Sequence, residues 1–182
     1  MKISGLIFSQ TRGTLAIVLV VFLSGFAAQA FCAVDAGPCS RQAESRALNF
    51  WLGDWKIAVP NEGVNATSKV SLELGDCVVV ERWNGGEGHV GENMFGYSAD
   101  DKSWHGMFAD SAGHVHVFVK GQVHPDSAEF TGPSRGPHGE TVLNRITIRR
   151  TGPDHVQQVW TKSSDGGKTW RTVFDGEYTR ES

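Results

Sequence analysis

The sequence predicts an all-β domain: an antiparallel up-and-down barrel of about ten strands preceded by one short helix. Ten short runs are rich in β-branched and aromatic residues, and turn signals separate them at close spacing. No long segment of helical period lies between them to carry a crossover to a parallel neighbour. A meander of this length has two raw edges, and closure into a barrel removes both.

The chain has 182 residues. Residues 1–30 read as a secretory signal peptide. Lys2 and Arg12 form the positive region, Leu15 to Phe26 the short apolar run, and Ala28-Gln29-Ala30 a small-residue cleavage site. Residues 31–39 follow as a flexible leader, and residues 40–182 form a single β-barrel domain, enough chain for one core. Loss of Lys2 and Arg12 takes the formal charge from −3 to −5. A mildly acidic chain with no basic run does not suit nucleic acid or, once the signal is removed, an anionic membrane. The expected location is periplasmic or secreted, as a monomer or weak homodimer. Three cysteines, Cys32, Cys39 and Cys77, would meet an oxidising compartment there. Cys39–Cys77 is the expected disulfide. Cys77 stands in a strand-like run and Cys39 in the segment leading to the first strand, so the bridge would staple the N-terminal arm to the wall. Cys32 is left as the free thiol.

Within the domain, Ser40 to Leu48 reads as the helix, with Ser40 as its N-cap. The strand-like runs are Trp55–Val59, Ser68–Leu74, Cys77–Trp83, Asn93–Ser98, Ser103–Ala109, His114–Val123, Ala128–Thr131, Val142–Arg150, His155–Ser163 and Trp170–Arg180. Asn84-Gly85-Gly86, His124-Pro125-Asp126, Gly132 to Gly139 and Gly152-Pro153-Asp154 are among the turns between them.

One turn carries a pattern of its own. Ser163-Ser164-Asp165-Gly166-Gly167-Lys168-Thr169-Trp170 has the S-x-D-x-G-x-T-W spacing of the Asp-box, which sialidase-type propellers repeat from blade to blade. Here it occurs once, in a chain with room for about ten strands, and no pair of carboxylates is set for glycoside hydrolysis. It is most simply a hairpin turn. Asp165 can bond the turn backbone, the paired glycines can take positive φ, and Trp170 re-enters the next strand.

Phe50-Trp51-Leu52-Gly53-Asp54-Trp55 stands at the entry to the first strand, and Tyr178-Thr179-Arg180 lies in the last. An indole can plug an open barrel mouth while a guanidinium stacks on its face and bonds exposed carbonyls, so Trp55 and Arg180 are the expected closure. The G-x-W triplet resembles the calycin signature of lipocalins, fatty-acid-binding proteins and avidins. Together with Cys77–Trp83 (CVVVERW), Leu143–Thr147 (LNRIT) and Trp160–Arg180, it resembles a family of small exported bacterial proteins that carry a domain of unknown function, with a calycin-like, nitrobindin-like barrel. The resemblance spans roughly residues 38–180. It implies architecture and export, and brings no activity with it.

Alternation along a strand sorts residues into two faces. One face of the third strand carries Val79, Glu81 and Trp83; of the fifth, Trp104, Gly106, Phe108 and Asp110; of the eighth, Leu143, Arg145 and Thr147; of the ninth, Val156, Gln158 and Trp160. Each mixes apolar area with a polar group, as a pocket for an amphipathic molecule needs. Glu81, Trp83, Trp104, Arg145, Gln158 and Trp160 are the expected ligand-binding residues. The plainer alternative makes the tryptophans wall residues and pairs Glu81 with Arg145.

His114 and His116 share a strand face at a spacing of about 6–7 Å, suitable for two ligands of one zinc, with His105 or Asp110 as a third. Phe118 and Lys120 continue that face and suggest a wet outer surface instead. Haem through one histidine, His155 or His116, is a related possibility, but no cofactor is singled out. No nucleophile elbow occurs. The expected function is an exported barrel holding a small apolar or amphipathic molecule. The alternative is a cofactor-independent or metal- or haem-assisted enzyme, with Glu81 or a histidine as general base in the same cavity.

Overall fold

A computed structural model describes residues 37–60 and 64–181. The expected signal peptide, most of the leader and Cys32 lie outside the described residues. Ten antiparallel strands run β1 (Gly53–Val59), β2 (Val64–Glu73), β3 (Val78–Asn84), β4 (Val90–Ser98), β5 (Ser103–Asp110), β6 (Val115–His124), β7 (Ser127–Arg135), β8 (Thr141–Gly152), β9 (His155–Ser163) and β10 (Arg171–Arg180). Each pairs with its sequence neighbours, and β1 pairs with β10, so the sheet is a closed up-and-down barrel. Every expected run is a strand. β7 extends to Arg135, which shortens the expected Gly132–Gly139 turn to the residues after Arg135.

Inward positions follow the alternation. Trp55, Ile57 and Val59 of β1 and Ala66, Ser68 and Val70 of β2 are buried, while Asp54, Lys56, Asn65, Thr67 and Lys69 between them are exposed. Charges on the outward positions make this a water-facing wall. Among the described residues, no helix is long and apolar enough to cross a membrane.

The N-terminal helix takes a different form from the expected one. Two 3₁₀ turns, Glu44–Arg46 and Asn49–Trp51, replace it, and Ser40 bonds Gly37 O rather than capping a helix. In 3₁₀ geometry residues three apart eclipse. Leu48 and Trp51 therefore point together into the barrel end, both fully buried. The arm is anchored at Cys39, whose Sγ lies at disulfide distance, 2.03 Å, from that of Cys77. A bridge across their 38-residue separation would stabilise the fold by about 3–4 kcal/mol in the chain-entropy model.

Trp55 and Arg180 meet at the same end. The guanidinium sits 4.2 Å from the Trp55 ring centroid, donates to Leu52 O at 2.8 Å and lies 3.3 Å from the Asp154 carboxylate. Trp55 donates its indole N–H to Trp51 O at 2.9 Å. Gly53 takes φ +134°, and a Cβ there would collide with the guanidinium. The glycine of G-x-W thus leaves the space that arginine fills.

The opposite end is ringed by the turns after β3, β5, β7 and β9, the last being the Asp-box segment. Asp165 accepts bonds from Ser163 Oγ (2.7 Å), Lys168 N (2.9 Å), Thr169 N (2.9 Å) and Thr169 Oγ1 (2.6 Å). Those bonds, Thr169 first, hold its carboxyl far below the usual range. Gly166 and Gly167 have φ +74° and +89°. The Asp165 carboxylate is spent inside the turn, as the hairpin reading expects.

Candidate functional site

A cavity of about 240 Å³ opens at the Asp-box end of the barrel. Its floor is a polar cluster around Glu81 on β3, which is fully buried. Oε1 accepts from Ser68 Oγ at 2.8 Å, and Oε2 from Asn93 Nδ2 at 2.7 Å and Gln158 Nε2 at 3.3 Å. The Tyr178 hydroxyl lies 2.7 Å from Glu81 Oε1 and 2.8 Å from Gln158 Oε1. With the Gln158 amide oxygen turned to Tyr178, one phenol proton serves only one of those two oxygens, so the other contact needs a second proton. A protonated Glu81 supplies it: the acid donates to Tyr178, Tyr178 to Gln158, and Gln158 back to Glu81. Burial agrees, pushing the Glu81 carboxyl up against the opposing bonds of Tyr178, Asn93, Ser68 and Gln158, and pushing the Tyr178 phenol well up as well.

Above the floor the walls are apolar: Trp83 of β3, Phe108 of β5, Ile146 of β8, Trp160 of β9, and Val173 and Phe174 of β10. Trp160 stands edge-on to Phe108 and to His116, with ring centroids at 5.0 and 4.9 Å. Its indole N–H reaches Asn144 Oδ1 at 3.2 Å. The rim holds His89, Asp110, His114, His116 and Lys162. Burial would raise the Asp110 carboxyl, but backbone and side-chain bonds from His114 outweigh it and the net shift is downward. Its Oδ2 faces His114 Nδ1 at 2.9 Å. His116 is pushed down to about 4, by burial first and then by Lys162 and His114 against Asp110.

Four buried side-chain polar atoms lack a hydrogen-bond partner among the described residues: Trp51 Nε1, Trp83 Nε1, Asn93 Oδ1 and His116 Nδ1. Trp51 belongs to the closed end. The other three all belong to residues lining the one cavity. An unmet buried donor or acceptor costs about 1–3 kcal/mol, so three such residues around one cavity concentrate unmet bonding at its walls.

The expected ligand-binding residues divide. Glu81, Trp83, Gln158 and Trp160 come together in the cavity. Trp104 does not: it is 6% exposed and packs in the closed half against Tyr97 and Phe130. Arg145 does not either. On β8 the inward residues are Asn144, Ile146 and Ile148, so Arg145 is on the outer wall, 4.1 Å over the Trp170 ring, and does not pair with Glu81. The face of His114 and His116 also differs from expectation. Phe118 is fully buried, so His116 points inward, and a bulge between β5 and β6 releases Lys120 to solvent.

His105, a suggested third metal ligand, bonds Asp101 and Ser103 on the outer wall. Among the described residues no group of three or more His, Cys, Asp or Glu side chains could hold a metal ion. Of the two suggested haem ligands, His155 starts β9 at the far end of the barrel and only His116 reaches the cavity. At about 240 Å³ that cavity falls below the roughly 300–1,000 Å³ typical of drug-sized ligands.

Sequence reasoning missed Asn93, Lys162 and Phe174. Parity could have found all three, since Asn93 shares a face with Phe95, Lys162 with Gln158 and Trp160, and Phe174 with Gly176 and Tyr178. The bulge between Thr172 and Phe174 changes the parity of β10 only for Arg171 and Thr172 before it.

Fold and site together define a class: a closed ten-stranded barrel, plugged at one end, with a small aromatic-walled cavity at the other. Comparison with protein-family models and with curated proteins finds no match.

Proposed function

We propose that this protein is an exported small-molecule-binding barrel whose ligand occupies the open-end cavity. The observation that carries the reading is that three residues with an unpartnered buried polar atom, Trp83, Asn93 and His116, line one apolar-walled space. The ligand is small and amphipathic, matching apolar walls between a polar floor and a polar rim. Export rests on the signal-like N-terminus, and the cysteine pair at disulfide distance supports it. Kinship with calycin-like barrels is part of the same proposal.

The enzymatic alternative has less support. Both Glu81 oxygens are engaged by neighbouring side chains, which leaves no lone pair poised as a general base. No Ser, Thr or Cys is among the cavity-lining residues. Native mass spectrometry of protein purified from an exporting host, joined to a small-fragment screen read by Trp emission, tests the proposal. A co-purifying small mass, or fragments that quench saturably, is the expected result. A bare mass with no saturable fragment overturns it.

A further inference from the structure

The cavity continues outward into a wider antechamber of about 800 Å³, and His114, His116 and Lys162 line both. Two cations face each other there. Arg171 of β10 is the direct cross-strand partner of Lys162 of β9. The bulge between Thr172 and Phe174 brings this about. Without the extra residue, alternation from Tyr178, Gly176 and Phe174 would turn Arg171 to the outer wall. Like charges directly opposite each other destabilise a sheet. Here neither Lys162 nor Arg171 has a carboxylate within ion-pair distance among the described residues.

Lys162 is also half-buried, with its ammonium 5.3 Å from the Trp160 ring centroid. Burial first, then Arg171, lowers its pKa. The acids nearby are committed elsewhere. Asp110 is bonded by His114 and by Ala112 N, Glu140 accepts from His138 N, and Glu81 reads as neutral from its proton count. Arg135 adds a third cation to the antechamber wall and bonds only a backbone carbonyl, Gly139 O.

We infer that the ligand is a small aromatic anion, its ring among Trp83, Phe108, Trp160 and Phe174 and its acidic group at Lys162 and Arg171. This rests on the reading of the cavity as a ligand site and narrows it to a chemical class. An aromatic ring matches walls that offer edges and faces in T-shaped order. An anionic head supplies the counter-charge the Lys162–Arg171 pair lacks, through charge-assisted hydrogen bonds. The volume admits one ring with a short substituent.

The test compares three probes of one shape: benzoate, benzyl alcohol and benzylammonium, titrated into the purified protein and into Lys162→Met, with Trp emission as the readout. Benzoate is expected to bind at least about tenfold more tightly than the alcohol, and the ammonium most weakly. In Lys162→Met the advantage of benzoate over the alcohol is expected to disappear. Equal binding of all three by the wild-type protein, or preference for the ammonium, overturns the anion site and leaves the cavity reading standing. Binding of none of them, with no fragment hit either, overturns the cavity reading itself. Should Lys162→Met lose the alcohol too, the wild-type ranking decides the question alone.

Discussion

The two ends of the barrel hold similar residues to opposite effect. At the closed end Leu48, Trp51, Trp55 and Tyr178 are all at most 1% exposed, and Arg180 seals them from outside. At the open end Trp83 and Trp160 remain half-buried, and between them lies the empty space they line. Phe95 and Phe130, stacked at 4.1 Å in the closed half, show how tightly the same fold packs where nothing needs to enter. Aromatic content therefore does not separate core from site. What separates them is whether the protein's own side chains cover each aromatic surface: Trp51 is buried even with an unpartnered indole N–H, whereas Trp160, whose N–H is bonded, still lines open space.

The largest expected contrast comes from truncating one indole at each end. Trp55→Ala removes a buried plug and the surface on which Arg180 rests, and should lower unfolding free energy by about 3–5 kcal/mol. Trp83→Ala enlarges an existing cavity and should cost less than about 2 kcal/mol while abolishing benzoate binding. Urea unfolding of both variants measures this, and equal losses would erase the distinction between the ends.

Smaller effects should appear in the pH dependence of stability. The Glu81 carboxyl is raised from 4.5 by burial, so its contribution is fully present below that value and is lost as pH rises through the folded-state pKa. His116 is lowered from 6.5 to about 4, so its contribution is present above 6.5 and is lost as pH falls towards 4. Glu81→Gln, whose amide can donate to Tyr178 as the protonated acid does, should flatten the alkaline limb of the urea-midpoint curve. His116→Gln should flatten the acid limb. A Glu81→Gln curve parallel to wild type would show that the carboxyl titrates alike folded and unfolded.

The smallest effect belongs to Arg145. Its stack on Trp170 is on the outer wall, so Arg145→Ala should cost at most about 1 kcal/mol and leave benzoate affinity unchanged. A loss of affinity would move the ligand towards the Asp-box hairpin.

Strand number and order were legible because turn residues punctuate the chain after every run, and a meander of neighbours has one simple closure. The plug was legible because Gly53, Trp55 and Arg180 form a short pattern with a steric reason. The site was half legible. Glu81, Trp83, Gln158 and Trp160 follow from alternation once the sign of the face is known, yet the sequence of β8 leaves that sign open. Leu143, Arg145 and Thr147 alternate with Asn144, Ile146 and Ile148, and both sets mix apolar with polar groups.

By itself, then, the sequence determined an all-β domain of about ten strands with an N-terminal arm, a plug built on Gly53 and Trp55, and a self-contained Asp165 turn. These depend on residues near one another in the chain or on periodicity. Tertiary structure alone decided which faces point inward, that Glu81 meets Tyr178 across 97 residues of chain, and that a bulge aims Arg171 at Lys162. Each of these depends on register around the closed ring, where one inserted residue reverses a strand's faces, and local sequence carries no record of that count.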